Sequence, residues 1–82
     1  MAPRLRRLSS RELILALRRF GFEVVATRGR HAKLRRLAPD GARQVLTIPL
    51  HREIAPGTLR AIARQAGRFV PASGLRALFY SE

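Results

Sequence analysis

A histidine stands among cations in residues 27–36, TRGRHAKLRR, the stretch of this sequence with the clearest chemistry. Imidazole ordinarily titrates near neutral pH, so it can both take and give a proton. RNA carries its own nucleophile, the 2′-hydroxyl, and its cleavage needs only proton transfer and charge stabilisation on the phosphate. Arg28, Arg30 and Lys33 are close enough in sequence to supply that stabilisation. From the residues alone, His31 fits either the base of an RNA-cleaving site or a solvated histidine at the end of a strand, without chemistry.

Other polar residues carry weaker predictions. Arg35 shares the alternating face of a predicted strand with His31 and Lys33, which adds it to the expected RNA contacts. Arg60 and Arg64 fall one helical turn apart, and both a phosphate track and a solvated helix face fit that spacing. His51 follows Pro49 and Leu50 in a predicted connector, where we interpret it as structural. No carboxylate cluster accompanies either histidine, so we expect neither a metal nor another cofactor.

Charge limits the class of partner. The 82 residues hold 17 Lys plus Arg against 5 Asp plus Glu, a net charge of +12. Such a field attracts polyanions, of which nucleic acid is the commonest and an acidic protein is another. There are no cysteines, and hence no disulfides or thiolate metal sites. No apolar run approaches the roughly 20 residues of a membrane span, and the start lacks a secretory pattern, so we expect a cytoplasmic protein without membrane contact.

The first helix has both a start and a stop signal. Ser9 is a predicted N-cap, and Glu12 three residues later completes a capping box. Gly21 suits the left-handed position that ends a helix, with Phe22 folding back onto Leu17. These signals predict a helix over about 9–20.

The rest of the chain predicts three strands and two helices in a single domain, residues 1–82. Strands are expected at 22–27, with Phe22, Val24 and Ala26 on one face, then at 31–37 and 43–48, separated by turns at 28–30 and 39–41. A helix begins at Pro56 and stops at Gly67, and a short final helix has Ser73 as its cap. The expected fold is α+β, with order α-β-β-β-α plus a short helix, and with a three-stranded antiparallel sheet covered by helices on one face. We expect a loosely held basic arm at 1–8, a core domain at 9–70 and the final helix within 71–82.

Four motifs in this order resemble a known family. They are Gly21-Phe22, Gly29-Arg30-His31, Ile48-Pro49-Leu50-His51 and the run PGTLRAIARQAG at 56–67. Together they resemble the HicA toxins of bacterial and archaeal toxin–antitoxin pairs over roughly residues 9–70. The resemblance implies a double-stranded-RNA-binding-like fold, cleavage of mRNA with His31 as catalytic residue, and inhibition by a cognate HicB-type antitoxin.

Two alternatives to an endoribonuclease remain open. One is a non-catalytic RNA-binding module, in which Arg30 and Ala32 beside the histidine mark a degenerate site. The other is a basic adaptor whose ligand is an acidic protein.

Overall fold

The computed structural model describes residues 4–81, in which a three-stranded sheet is covered by helices on one face. The elements are β1 (Arg4–Leu5), α1 (Ser10–Arg18), β2 (Glu23–Arg28), β3 (His31–Leu37), β4 (Arg43–Pro49), α2 (Pro56–Ala66), α3 (Ala72–Phe79) and β5 (Tyr80–Ser81). β2, β3 and β4 pair antiparallel in that order, and β1 pairs with β5 in a second, two-stranded ladder. The predicted α+β class and the α-β-β-β-α arrangement of a double-stranded-RNA-binding-like fold are confirmed.

Both ends of α1 are fixed by the residues that the sequence indicated. The Ser9 side chain accepts from the Glu12 N–H, and the Ser9 N–H donates to Glu12 Oε1, each at 3.0 Å. The hydrogen bond from the Ser9 backbone is the largest cause of the lowered pKa of Glu12, and the Ser9 side chain is the second cause. Gly21 has φ +91°, and the Phe22 N–H donates to the Leu17 carbonyl at 3.2 Å. The helix is shorter than the predicted 9–20 because this C-terminal turn already begins at Arg19.

The β3–β4 hairpin separates the apolar and polar faces of the sheet. Ala32 and Leu34 of β3 are buried, whereas His31, Lys33 and Arg35 are exposed on the opposite face. The buried residues of β3 join those of the helices and β4 in one core, which comprises Leu8, Leu13, Leu17, Phe22, Ala32, Leu34, Leu46, Ile48, Ile54, Leu59, Ile62, Ala63, Ala66, Val70, Leu78 and Phe79. The uncovered face therefore carries the polar residues of the hairpin.

The predicted common face of Phe22, Val24 and Ala26 is wrong. Val24 lies opposite the buried Leu34, but Ala26 lies opposite the exposed Lys33, because the register shifts between Val24 and Ala26. A one-residue irregularity of this kind moves the following side chains to the other face of the sheet. Phe22 precedes the strand and is buried in the core.

The expectation of a loosely held arm is wrong for residues 4–8. β1 pairs with β5, the Arg6 N–H donates to the Phe79 carbonyl at 2.8 Å, and Leu8 is only 2% exposed. Burial of Leu8 in the core holds the segment in place. The remainder of the predicted arm, residues 1–3, lies outside the described residues.

The final helix begins one residue before its predicted cap. Pro71 is the N-cap of α3, without a side-chain capping bond, and Ser73 lies inside the helix. The fixed φ of Pro71 and its extended backbone lead into the helix, so a hydroxyl cap is not used. Leu78 and Phe79 are buried. None of the helices within residues 4–81 has the length and apolarity needed to cross a membrane.

Arg36 ties three parts of the fold together from the covered side of β3. Its Nε donates to Gln44 Oε1 at 2.8 Å, Nη1 to the Phe20 carbonyl at 2.9 Å and Nη2 to the Phe69 carbonyl at 2.6 Å. Its guanidinium carbon lies 5.0 Å from the centre of the Phe22 ring. This arginine therefore joins the end of α1 and the segment after α2 to the sheet.

Candidate active site

An open pocket of about 520 Å³ lies beside the hairpin, between its exposed side and α2. β3, β4, the connector after β4 and α2 all contribute to it. Its lining residues are His31, Thr47, Pro49, His51, Glu53, Ile54, Ala55, Thr58, Ala61, Ile62 and Gln65. The pocket therefore holds both histidines of the sequence.

His31 reaches the pocket because it opens β3 at the end of the hairpin. It is the Cα partner of Pro49, the last residue of β4. Beside this pair, the Leu50 N–H donates to the Arg30 carbonyl at 2.6 Å. Gly29 makes the preceding turn with φ +57°, a conformation that glycine adopts without strain. These contacts fix the backbone on both sides of the imidazole.

His51 is held in place through its backbone and lies two residues beyond the strand partner of His31. Its N–H donates to the Pro49 carbonyl at 3.1 Å, and its own carbonyl accepts from the Ser10 N–H at 3.0 Å. The side chain is exposed and lines the same pocket as His31. Two imidazoles, a group that can take or give a proton, therefore line one cavity.

α2 supplies the opposite wall. Pro56 occupies its first turn, as predicted, and Leu59, Ile62, Ala63 and Ala66 bury its inner side. Thr58, Ala61 and Gln65 repeat at helical spacing toward the pocket. The wall therefore offers a hydroxyl and an amide for hydrogen bonding.

The predicted cations of the hairpin lie around His31 but not in the pocket. Lys33 and Arg35 are exposed on the same face of β3, and Arg28 is the Cα partner of His31 on β2. Arg30 is exposed in the turn between these strands. The fold thus surrounds the pocket mouth with positive charge on the hairpin side.

The other two predicted contacts, Arg60 and Arg64, are not brought to His31. Both are exposed on α2, where each residue turns the helix by about 100°. Thr58 and Gln65 line the pocket, and this geometry places Arg60 and Arg64 on a different side of the helix. Arg60 instead lines a second cleft.

The family is given by a comparison of the whole chain. A family model described as the HicA toxin of bacterial toxin-antitoxin matches residues 10–67. The chain belongs to the HicA toxin family. A toxin of this family has an antitoxin as its partner within a toxin–antitoxin system. The matched segment runs from α1 to the end of α2 and includes the whole lining of the pocket. No curated protein matches the chain significantly.

His51, which the sequence analysis interpreted as structural, also lines the pocket, so sequence reasoning missed it as a pocket residue. The predicted turn at 39–41 contained a signal for it, because the turn sets the register of the following strand. That register pairs residue 31 with residue 49, two residues before His51. Thr47 and Gln65 were also missed, and helical or strand spacing alone does not distinguish them from solvated positions.

Metal-ligating side chains are sparse in this HicA family member. His31, His51 and Glu53 line the pocket, but within residues 4–81 no three His, Cys, Asp or Glu side chains are grouped so as to hold a metal ion.

Proposed function

We propose that this protein is a toxin endoribonuclease that cleaves mRNA at the His31 pocket without a metal ion, and that a cognate HicB-type antitoxin neutralises it. The observation that carries the proposal is that two exposed histidines line one open pocket. Membership in the HicA toxin family supports it independently.

The pocket provides the two proton transfers that RNA cleavage requires. His31 takes the proton from the 2′-hydroxyl, whose oxygen then attacks the adjacent phosphorus. The bond from phosphorus to the 5′-oxygen breaks, and His51 gives its proton to that oxygen as it leaves. The products are a 2′,3′-cyclic phosphate on one fragment and a 5′-hydroxyl on the other. The second histidine extends the sequence-based hypothesis of a single catalytic residue.

The surrounding cations serve charge stabilisation and substrate capture. Arg28, Lys33 and Arg35 lie on the uncovered face of the sheet near His31, where they attract the RNA backbone. Arg30 is exposed in the turn immediately before His31. Because the phosphate gains charge as the 2′-oxygen attacks, nearby cations stabilise the transition state more than the ground state.

The alternative of a non-catalytic RNA-binding module rests on Arg30 and Ala32 as marks of a degenerate site. Ala32 is 2% exposed and belongs to the core side of β3, so a polar residue at this position would not enter the pocket. Arg30 contributes its backbone carbonyl to the Leu50 bond, and its side chain is exposed. Neither residue removes a group from the pocket lining, which supports the catalytic proposal.

RNA cleavage assays with single-residue variants test the proposal. We expect His31→Ala and His51→Ala each to lower kcat by about 10²–10⁴, because each removes one proton transfer. Binding of an RNA with 2′-O-methyl riboses, which lacks the nucleophile, should be retained in both variants. Arg52→Ala, an exposed neighbour of His51 outside this pocket, is the matched control and should cleave normally.

The products and cofactor requirement sharpen this test. Mass spectrometry should find 2′,3′-cyclic phosphate ends, and EDTA should leave the rate unchanged. Full activity of His31→Ala, or fragments bearing 5′-phosphates, would refute the mechanism. RNA binding without cleavage by the wild type would favour the binding module. Growth arrest on expression, its loss with His31→Ala and its relief by the cognate antitoxin test the biological part.

A further inference from the structure

A second cleft, of about 490 Å³, lies next to the His31 pocket. Four arginines line it: Arg4, Arg6 and Arg7 from the N-terminal segment and Arg60 from α2. Within the described chain, Glu53 is the one acidic residue that lines it. Four cations converging on one concave surface create a site for an anion, since clefts concentrate the field of the charges that line them.

The cations are held there by the fold rather than by the local sequence. β1 pairs with β5, and the Ile54 N–H donates to the Leu8 carbonyl at 2.9 Å, which fixes the N-terminal segment against the connector before α2. Arg6 Nη1 donates to the Leu78 carbonyl at 3.2 Å, so part of its guanidinium is already bonded. Arg4, Arg7 and Arg60 are exposed. These three side chains are therefore available to a ligand.

The cleft adjoins the His31 pocket. Glu53 and Ile54 line both, so the two cavities are separated only by this short part of the connector. A ligand that fills both must be extended and must carry negative charge at intervals. A single-stranded RNA meets both conditions, because it has a phosphate at every nucleotide.

We propose that the cleft lined by Arg4, Arg7 and Arg60 binds backbone phosphate of the RNA strand on one side of the scissile bond. This site deepens the proposed function, since it assigns a substrate subsite to residues of the N-terminal segment that lie outside the family match at 10–67. Arginine suits the role because its planar fork donates two hydrogen bonds to one phosphate.

An acidic protein segment is the competing ligand, and the lining favours RNA. Protein interfaces concentrate apolar and aromatic contacts at their centres. The large exposed apolar residues within the described chain, namely Leu15, Val24, Val25, Leu37 and Val45, all lie outside this cleft. Charge without an exposed apolar centre fits phosphate recognition better.

Paired substitutions with equal net charge test the site. The test variant is Arg4→Gln with Arg60→Gln, and the control is Arg18→Gln with Arg43→Gln. Both control residues are exposed, and Arg43 stands about 20 Å along the hairpin from the His31 end. Because each variant loses two charges, a change confined to the first reflects the cleft and not the overall field.

Binding of a short labelled RNA with 2′-O-methyl riboses is the first measurement. We expect the test variant to bind about 10- to 100-fold more weakly, as two charge-assisted contacts are lost. The slope of log K against log salt should fall by about 0.7 per lost contact. The control should lose much less affinity. Equal losses in the two variants would overturn the proposal, as would wild-type RNA affinity in the test variant accompanied by weaker binding of an acidic peptide.

Cleavage kinetics separate this subsite from the chemistry. A dinucleotide can fill the His31 pocket but not the neighbouring cleft, so both variants should cleave it like the wild type. A longer RNA should show a raised KM and an unchanged kcat in the test variant alone. If His31→Ala cleaves normally the proposed function fails, yet the binding measurement still decides the cleft. Arg60→Gln alone, which leaves the β1–β5 ladder untouched, should reproduce part of the loss, and its failure to do so would count against the site.

Discussion

Replacing Arg36 by methionine should destabilise the fold strongly, because its guanidinium donates three hydrogen bonds. Methionine keeps much of the apolar stem but removes all three hydrogen bonds of the guanidinium. The carbonyls of Phe20 and Phe69 and the amide oxygen of Gln44 lose a charged donor. The contact with the Phe22 ring is lost as well.

The magnitude follows from these contacts. Each hydrogen bond contributes about 1 kcal/mol net, and bonds from a charged donor lie toward the upper end of the range. The cation–π contact adds about 0.5–1 kcal/mol at a half-exposed site. Water can replace part of the loss because Arg36 is only partly buried. We therefore expect a loss of about 3 kcal/mol in the free energy of unfolding. The total free energy of unfolding of a domain of this size is ordinarily about 4–12 kcal/mol, so this loss is a large share of it.

Urea denaturation followed by circular dichroism measures the loss. Arg35→Met is the matched control. Arg35 immediately precedes Arg36 in β3 and is exposed on the opposite face, so its replacement should change the free energy of unfolding by less than about 0.5 kcal/mol. Arg36→Lys should fall between, since one ammonium cannot reach three divergent acceptors as the guanidinium fork does. If Arg36→Met were within 1 kcal/mol of Arg35→Met, the structural role assigned to these bonds would be refuted.

Two further predictions concern stability. A Cβ at Gly74 would lie 2.7 Å from Phe20 Cε1, so Gly74→Ala should lower the free energy of unfolding by about 1 kcal/mol or more, whereas Gly57→Ala, with open space around it, should be neutral or stabilising in the same urea assay. The Ser9 bonds lower the pKa of Glu12, so its contribution is complete above its ordinary pKa of about 4.5 and is lost as pH falls through the lower folded value. The excess stability of wild type over Glu12→Gln should accordingly shrink between pH 6 and pH 3 in thermal unfolding, and a gap independent of pH would contradict this.

Local signals in the sequence were sufficient for most of the fold. The capping box at Ser9 and Glu12, the left-handed Gly21 and the turn at 39–41 all act within a few residues of each other, so they can be recognised without knowledge of distant contacts. The core positions on β3 followed from alternation in the same way. Fold class and strand order could therefore be predicted.

Features that depend on distant contacts could not be predicted. Within residues 4–81, the β1–β5 ladder joins segments far apart in the sequence through two residue pairs, too few to leave a periodic pattern. The irregularity in β2 depends on how that strand meets β3, and its residues Val24 and Val25 have ordinary strand composition. The Arg4–Arg60 cleft combines both limits, because its cations come from opposite parts of the sequence.

The distribution of charge separates capture of a polyanion from its chemistry. The sequence has 17 lysines and arginines that would attract a polyanion such as the proposed RNA, yet within the described chain no lysine or arginine lines the His31 pocket. Long-range attraction falls with salt, whereas hydrogen-bonded proton transfer inside a pocket depends on geometry. Rising salt should then raise KM more steeply than it lowers kcat. In the proposed mechanism, the hairpin register that aligns His31 with Pro49 determines where on this positive surface an RNA bond is cut.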